Sequence, residues 1–455
     1  MMDDSGEGVR SDENVFQPVR GFRDFLGGDK RLRDGVKSRL VACFEKYGFQ
    51  PLQTPAVESF SVLAAKFAGG EEILGETYRL SDRGGRELAL RYDLTVPLCR
   101  FVAGNPKLAM PFKRYAVGSV WRDGPLKAGR YREFEQCDVD TVGAQGMAAD
   151  AEVLALGCET LASLGLEFEY VVNNRKLLDG LLLQAGVPQA LLQTAILSLD
   201  KLEKIGVEAV LAELRGKSVP EAVCSEALKA ISLPSDDRNA FLNKAVEGGN
   251  ELARQGAREL SELYAFLGEL GCASSVRFSP SLARGLSYYT GTVFEAFLTG
   301  EGRRKVSSSI SGGGRYDDIV GSFVTQATGR QPAIPAVGVS FGLDVICECL
   351  KLGLGGAPAS AAAGGVFVIP IAGEKAGLRL AGELRRLGVA CGVDLMERGV
   401  TRNIEYAVKQ GYRYALIVGP REAAEGSATV RDLNSGEEKS LAQAEALNIL
   451  KSKCA

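Results

Sequence analysis

The chain of 455 residues contains no histidine. At ordinary usage about ten would be expected. The absence excludes Ser-His-Asp and Cys-His nucleophiles, His-ligated zinc or haem, and any imidazole charge switch near neutral pH. Long apolar runs are also missing. No stretch reaches 18 uninterrupted apolar residues, so no transmembrane helix and no membrane partner are expected. The N-terminus, MMDDSGEGVRSDENVF, is acidic and polar. It resembles neither a secretory signal nor a basic amphipathic organellar one, so a cytoplasmic location is expected. The ten cysteines include no CxxC pair, and Cys347 and Cys349 are the closest two. They are expected to be reduced and mostly buried, with no metal site. Charge of either sign is not in excess: Lys+Arg 54 against Asp+Glu 57 leaves a net charge of −3. A nucleic-acid partner would have to be held by local patches.

What is present is ordinary for a globular chain of two or three domains, with 45% hydrophobic and 24% charged residues. The 55 glycines point to many turns or to backbone that approaches a ligand. Residues 1–16 read as a disordered tail. Apolar spacing at Leu32, Val36, Leu40 and Phe44 predicts a helix from Asp29 to Tyr47, stopped by Gly48. From there to Gly143, the runs YRLSD, ELALRYD, FKRYAVGSVWR and FEQCDVDTVG predict hairpins of an antiparallel sheet. Asp150 to Leu164 reads as a helix. Residues 172–275 are Leu/Ala/Glu/Lys-rich and read as a helical insertion. Strand signals return in SYYTGTVFEAFL. Residues 336–350 read as a strand turning into a helix, and 351–364 as a linker. From 365 to 455 a βαβ-like alternation predicts a small α/β domain with a mainly parallel sheet. It is locally basic, with 13 Lys/Arg against 11 Asp/Glu.

The densest chemistry lies in Val120–Asp140. Arg122 ends one strand-like run, Arg130 and Arg132 open the next, and a Gly/Pro/Lys loop separates them. A hairpin of this kind aims guanidinium forks at one point, and such forks match phosphate without losing charge. Asp138 and Asp140 occupy alternate positions, hence one face of a strand. Taken alone, the hairpin also reads as an exposed one with solvated charges, and Asp140 as a strand-end surface acid.

The run R-x-x-loop-G-R-Y-R-E-F-x-Q resembles motif 2 of the class II aminoacyl-tRNA synthetases, in the form used by the histidyl-tRNA synthetases. Other segments carry the likeness along nearly the whole chain: Arg20–Asp24 (RGFRD), Gly48–Glu58 (GFQPLQTPAVE, motif 1), Leu90–Thr95 (LRYDLT), Arg284–Gly291 (RGLSYYTG) and Ser311–Asp317 (SGGGRYD). The resemblance implies an α+β catalytic domain (17–350) with an antiparallel sheet flanked by helices and carrying the insertion. An α/β anticodon-binding domain (365–455) follows. It also implies a histidine–tRNA ligase that uses ATP, Mg²⁺, L-histidine and tRNA(His), and a homodimer with Pro55 at its interface. Arg122 and Arg284 would grip the α-phosphate, Arg284 also the histidine carboxylate. Asp93, Thr95 and Gln136 would hold the ammonium. Asp140 and Tyr289, with Tyr288 beside them, would hold the imidazole. Asp123 would anchor the adenine side or the hairpin, and Arg130 would serve ATP. Gly312–Gly314 would either let backbone approach substrate or simply form a turn. Lys127, Arg130 and Arg132 would meet the acceptor end of tRNA, and Arg398, Arg402 and Lys409 the anticodon.

One position departs from the pattern. Where motif 3 ends in an arginine for adenine and the terminal phosphate, GVSFGLDVI (338–346) places Val345. Arg315 is the candidate substitute for the γ-phosphate. Two other readings are a histidine-sensing regulatory subunit of ATP phosphoribosyltransferase and a synthetase-like protein that binds tRNA without charging it. The full RGLSYYTG and the presence of residues 365–455 argue against the first.

Overall fold

The computed structural model describes residues 16–64, 74–126, 131–231, 237–284, 288–329, 332–356, 364–371 and 373–454. Residues 1–15 of the expected N-terminal tail, half of the linker (357–363), and Lys127 and Arg130 lie outside these residues. The chain divides into two compact units, residues 1–24 with 36–357, and residues 25–35 with 358–455. The first unit thus runs past the expected boundary at 350, and it excludes 25–35.

Eight strands form the main sheet of the first unit: β1 (Gln50–Pro51), β5 (Phe112–Trp121), β6 (Glu133–Val142), β7 (Phe168–Asn174), β8 (Val276–Phe278), β9 (Thr292–Leu298), β10 (Ser311–Arg315) and β11 (Ala336–Gly342). Their order is β1-β5-β6-β11-β10-β9-β7-β8. The six inner strands pair antiparallel, and β1 and β8 add parallel at the two edges. The other strands expected in this region, β3 (Arg79–Ser81) and β4 (Glu87–Leu90), join β2 (Val57–Ser59) in a separate small sheet.

Period-2 alternation gives the main sheet two unlike faces. On one, Cys137 and Val139 of β6 and Phe341 of β11 are buried. Phe44, from the helix Gly28–Lys46, packs with ring centroids 5.6 Å from Phe341 and 5.8 Å from Tyr115. On the other face the same strands carry Gln136, Asp138, Asp140 and Ser340. Burial of the apolar face fixes the register, since a slip of one residue would turn the polar row inward.

The helical insertion starts later than the composition suggested. Val172–Asn174 complete β7, and the Asn174 side chain then accepts from the Lys176 amide at 2.9 Å, capping the helix Arg175–Gln184. Helices continue to Glu269, and β8 returns the chain to the sheet.

Arg315 stands apart from the role expected of it. It is 2% exposed. Its guanidinium pairs with Asp150, donates to the Ala144 and Gly146 carbonyls at 3.0 and 3.2 Å, and meets Asp317 at 3.1 Å. A cation so enclosed ties β10 to the helix Met147–Ser163 and has no reach to a nucleotide.

In the second unit the strand order is β13-β12-β14-β15-β16, with β12 as Val366–Pro370, β13 as Cys391–Val393, β14 as Tyr414–Val418, β15 as Ser427–Asp432 and β16 as Glu438–Ala442. Only β13, β12 and β14 are parallel, and the rest is antiparallel, so the sheet is mixed rather than mainly parallel. The strand β16, with its charged sequence EKSLA, is mostly exposed, and no apolar alternation marks it.

Candidate active site

A cavity of about 480 Å³ lies on the polar face of the main sheet. It brings together Asp93, Thr95, Arg122, Gln136, Asp140, Arg284, Tyr288 and Tyr289, eight residues from four separate segments. Small residues floor it. In register across β6, β11 and β10, Asp140 faces Gly338 and then Gly314, while Asp138 faces Ser340 and then Gly312. A Cβ on Gly338 would sit 2.1 Å from Asp140 Oδ1, and one on Gly312 would sit 3.1 Å from the Arg284 guanidinium nitrogens. Position 338 therefore requires glycine, and at 312 a side chain would push on the Arg284 guanidinium. The run Ser311–Arg315 is a strand, not a turn. Glycine's poor strand propensity hid this.

At one end, Arg122 donates from Nε to the Tyr92 carbonyl at 3.0 Å and lies 5.2 Å from the Phe134 ring centroid. Arg284 donates to the Tyr289 hydroxyl at 2.9 Å and the Gly313 carbonyl at 3.2 Å, and its Nε is 3.3 Å from Glu295. Asp93 accepts at Oδ1 from the amides of Thr95 and Val96 (3.1 and 3.0 Å), which caps the helix Thr95–Ala103 and fixes the carboxyl at the cavity wall.

Four residues of the site carried no assigned role in the sequence reading. Arg114, 1% exposed, pairs with Asp140 at 2.7 Å and donates to the Leu94 carbonyl at 3.0 Å. The Tyr316 hydroxyl donates to the other oxygen of Asp140. Asp138 is buried beside them and lines the cavity. Ser340 accepts from Gln136 Nε2 at 3.1 Å and hydrogen-bonds the Asp138 carboxyl. The strand alternation could have flagged Asp138, because it falls between Gln136 and Asp140 on the same face. Nothing local marks Arg114 or Tyr316.

Electrostatics divide the carboxyls. Burial pushes Asp93 up to about 6, against the pull of its amide bonds and Arg122. Burial also pushes Asp138 up to about 7, with Arg114 lowering it and the neighbouring Asp140 and Asp93 raising it. Burial raises Asp140 as well, opposed by Arg114 and the Tyr316 bond. The phenols of Tyr288, Tyr289 and Tyr316 are raised chiefly by burial, so they remain protonated donors at neutral pH.

Other expected site residues fall elsewhere. Asp123 is exposed and outside the cavity, where it holds Arg132 at 3.2 Å and accepts from Tyr78 at 3.3 Å. These contacts tie it to Arg132 of the hairpin and to Tyr78. Arg132 is occupied by that pair and packs on Gly21, where a Cβ would meet its side chain at 2.8 Å. Val345 lines the cavity beside Asp344. Arg23 bonds Asp344 at 2.5 Å and lies 3.2 Å over the ring of Tyr131, so a guanidinium does stand near the valine. In the second unit, Arg402 and Lys409 are exposed on the helix Val400–Lys409. Arg398 stacks 4.4 Å over Tyr406, next to exposed Leu395 and Met396. All ten cysteines are free. Among the described residues no cluster of three or more His, Cys, Asp or Glu could hold a metal, and no helix is long and apolar enough to cross a membrane.

Known proteins share this arrangement from end to end. Residues 21–346 match the family model for histidyl-tRNA synthetase, and residues 365–453 match that for an anticodon binding domain. The chain belongs to the histidyl-tRNA synthetase family. It is 41% identical over 426 residues to Histidine--tRNA ligase 1 of Bacillus cereus, covering 92% of this chain and 96% of that one. It is 39% identical to Histidine--tRNA ligase 2 of Shouchella clausii, over 93% and 97% of the two chains. The crystal structure of histidyl-tRNA synthetase from Nostoc sp. PCC 7120 superposes with a TM-score of 0.79 at 30% identity, over 97% and 100% of the chains. A Bacillus halodurans structure described as an ATP phosphoribosyltransferase regulatory subunit/histidyl-tRNA synthetase shares the fold, with a TM-score of 0.71 at 22% identity.

The raised Asp138 carboxyl has a stability consequence. The unfolded chain releases this proton near pH 4 and the folded chain near 7, so the folded state binds more protons in between. Stability contributed by this group therefore falls as pH rises from about 4 to about 7. Asp138→Asn removes the effect. Its advantage over the wild type in urea melts of the unliganded chain should widen by roughly 2 kcal/mol between pH 5.5 and 8. An advantage that stays constant across that range would show that Asp138 ionises normally.

Proposed function

We propose that the chain activates L-histidine with ATP to histidyl-adenylate and transfers the histidyl group to the 3′ end of tRNA(His), releasing pyrophosphate and then AMP. The observation that carries this reading is the convergence of Arg122 and Arg284 on a cavity that Asp93, Gln136, Asp140, Tyr288 and Tyr289 also line. Two cations suit a phosphate and a carboxylate. The acids suit an ammonium, and an acid with phenols suits a ring that carries N–H.

In the first step a carboxylate oxygen of histidine attacks the α-phosphorus, and the bond to the pyrophosphate oxygen breaks. The nucleophile is already ionised at neutral pH, so no general base is required. Catalysis is positioning together with neutralisation of the charge on the reacting phosphate, by Arg122 from one side and Arg284 from the other. Glu295 and the Gly313 carbonyl hold Arg284 in place, and the Tyr92 carbonyl holds Arg122. In the second step the terminal ribose hydroxyl attacks the acyl carbonyl. The bond to AMP breaks, and the hydroxyl proton passes to a phosphate oxygen of the substrate.

The acids present fit Mg²⁺ as a companion of the ATP phosphates, since among the described residues no cluster of three or more acids could cage it. It would neutralise phosphate charge. Val345 removes the motif 3 cation, and Arg23, beside Asp344, is the guanidinium at that end. Assembly as a homodimer and a cytoplasmic location complete the reading. The exposed Arg402 and Lys409, with the Arg398–Tyr406 stack, offer charge and an aromatic face to the anticodon.

Histidine-dependent exchange of pyrophosphate into ATP by the intact chain tests the activation step. Arg122→Ala and Arg284→Ala should each lower kcat by about 10²–10³-fold. Absence of exchange in the wild type, with tRNA still bound, would transfer the case to a non-charging tRNA-binding protein. For the anticodon face, the double variant Arg402→Ala, Lys409→Ala should reduce the slope of log Kd against log salt for tRNA(His) by about 2. An unchanged slope would remove those residues from the interface.

A further inference from the structure

We propose that Asp138 is a recognition residue for the substrate's α-ammonium group, forming with Asp93 and Gln136 a three-point acceptor clamp. The proposal rests on the reading of histidine as the substrate and goes beyond the ammonium ligands Asp93, Thr95 and Gln136 considered so far.

Among the described residues, Gln136 Oε1 and Asp138 Oδ1 lie buried at the cavity with no hydrogen-bond partner, as does Asp140 Oδ2, which instead has the Arg114 guanidinium at 2.7 Å. The Gln136 and Asp138 side chains leave β6 on the same face, two residues apart. Ser340 orients the pair. Its oxygen accepts from Gln136 Nε2, and its hydroxyl bonds the Asp138 carboxyl. With the amide nitrogen committed to Ser340, the Gln136 oxygen is the end left for a ligand. A buried acceptor with no donor costs free energy in the empty protein, so a pair of them held in register calls for a ligand that brings N–H groups.

The ligand must also bring positive charge. Asp140, the next acid on the strand, already has its counter-charge in Arg114 at 2.7 Å and accepts the Tyr316 hydroxyl on its other oxygen. Among the described residues Asp138 has no ion pair of its own. The charges of Asp93 and Asp140 add to its burial in opposing its ionisation, against the pull of Arg114. A cation placed between Asp93 and Asp138 would relieve that repulsion for both carboxylates. Asp93 spends Oδ1 on the amides of Thr95 and Val96 and still faces the cavity. A primary ammonium has three N–H donors and no acceptor, and it matches three acceptors from Asp93, Gln136 and Asp138. The imidazole ring offers at most two N–H groups in one plane and already has Asp140 and the tyrosines.

The test compares L-histidine with imidazolepropionate, which keeps the ring and the carboxylate but lacks the ammonium. Affinities for the intact chain are measured by titration calorimetry. Asp138→Asn should weaken histidine about 10- to 100-fold and leave imidazolepropionate within about twofold. Ser340→Ala, which releases the pair without touching its charge, should show the same selectivity at smaller size. It serves if the first variant does not fold. Histidine affinity unchanged in both variants overturns the proposal, as does equal weakening of the two ligands, which would assign Asp138 to the ring. If wild-type chain takes up no histidine while binding another amino acid, the substrate reading itself falls, and the clamp falls with it.

Discussion

The ion pair between Arg114 and Asp140 joins the second and third strands of the main sheet, on directly opposed positions of β5 and β6, with both side chains almost fully buried. Removing one partner of such a pair typically costs about 3–5 kcal/mol, because the other is left charged in a poor solvent. The rest of the site depends on this arrangement. Arg114 opposes the effect of burial on Asp140. It does the same for Asp138 and Asp93, whose ionisation it favours from behind the cavity wall. Asp140, once held, fixes the Tyr316 hydroxyl. The glycine at 338 follows from the same pair, since any side chain there would displace the carboxyl.

This arrangement separates two jobs that similar side chains perform. Arg114 and Arg315 are both buried guanidiniums, but neither faces the cavity, and each is matched by an aspartate. Arg122 and Arg284 are held by carbonyl oxygens and one glutamate and project into the cavity. The first pair builds the sheet and the second faces the substrate. A cavity that reads a ring through a carboxylate and phenols needs no imidazole of its own. The absence of histidine from the chain therefore removes nothing from the chemistry proposed for it.

The difference between those two kinds of arginine was only partly legible in the sequence. The motif 2 hairpin and the RGLSYYTG run identified Arg122 and Arg284, and period 2 placed Asp138 and Asp140 on one face. Arg315, next to three glycines, looks from its neighbours like a phosphate ligand. Its partner Asp150 is 165 positions away, and no local pattern announces it. Arg23 and Asp344 meet across 321 positions in the same way. Asp123 and Arg132 each looked functional because each is charged and flanks a loop, yet they satisfy one another. Strands with apolar alternation were readable. Those made of glycine, such as β10, or of charge, such as β16, were not, because their place in a sheet is set by neighbours rather than by their own residues. The helical insertion was evident from composition, but its first three expected residues belong to β7, where a cap at Asn174 sets the true start.

The central claim is that buried charge and phenolic donors give this cavity its selectivity for an imidazole ring. Calorimetric titration of the intact chain with L-histidine and with L-phenylalanine tests it most directly, since phenylalanine keeps the ammonium, the carboxylate and an aromatic ring but offers no ring N–H. Phenylalanine would leave Asp140, Tyr289 and their partners desolvated and unmatched, so the account predicts an affinity at least about 10³-fold weaker than that for histidine. Comparable affinities for the two amino acids would contradict it.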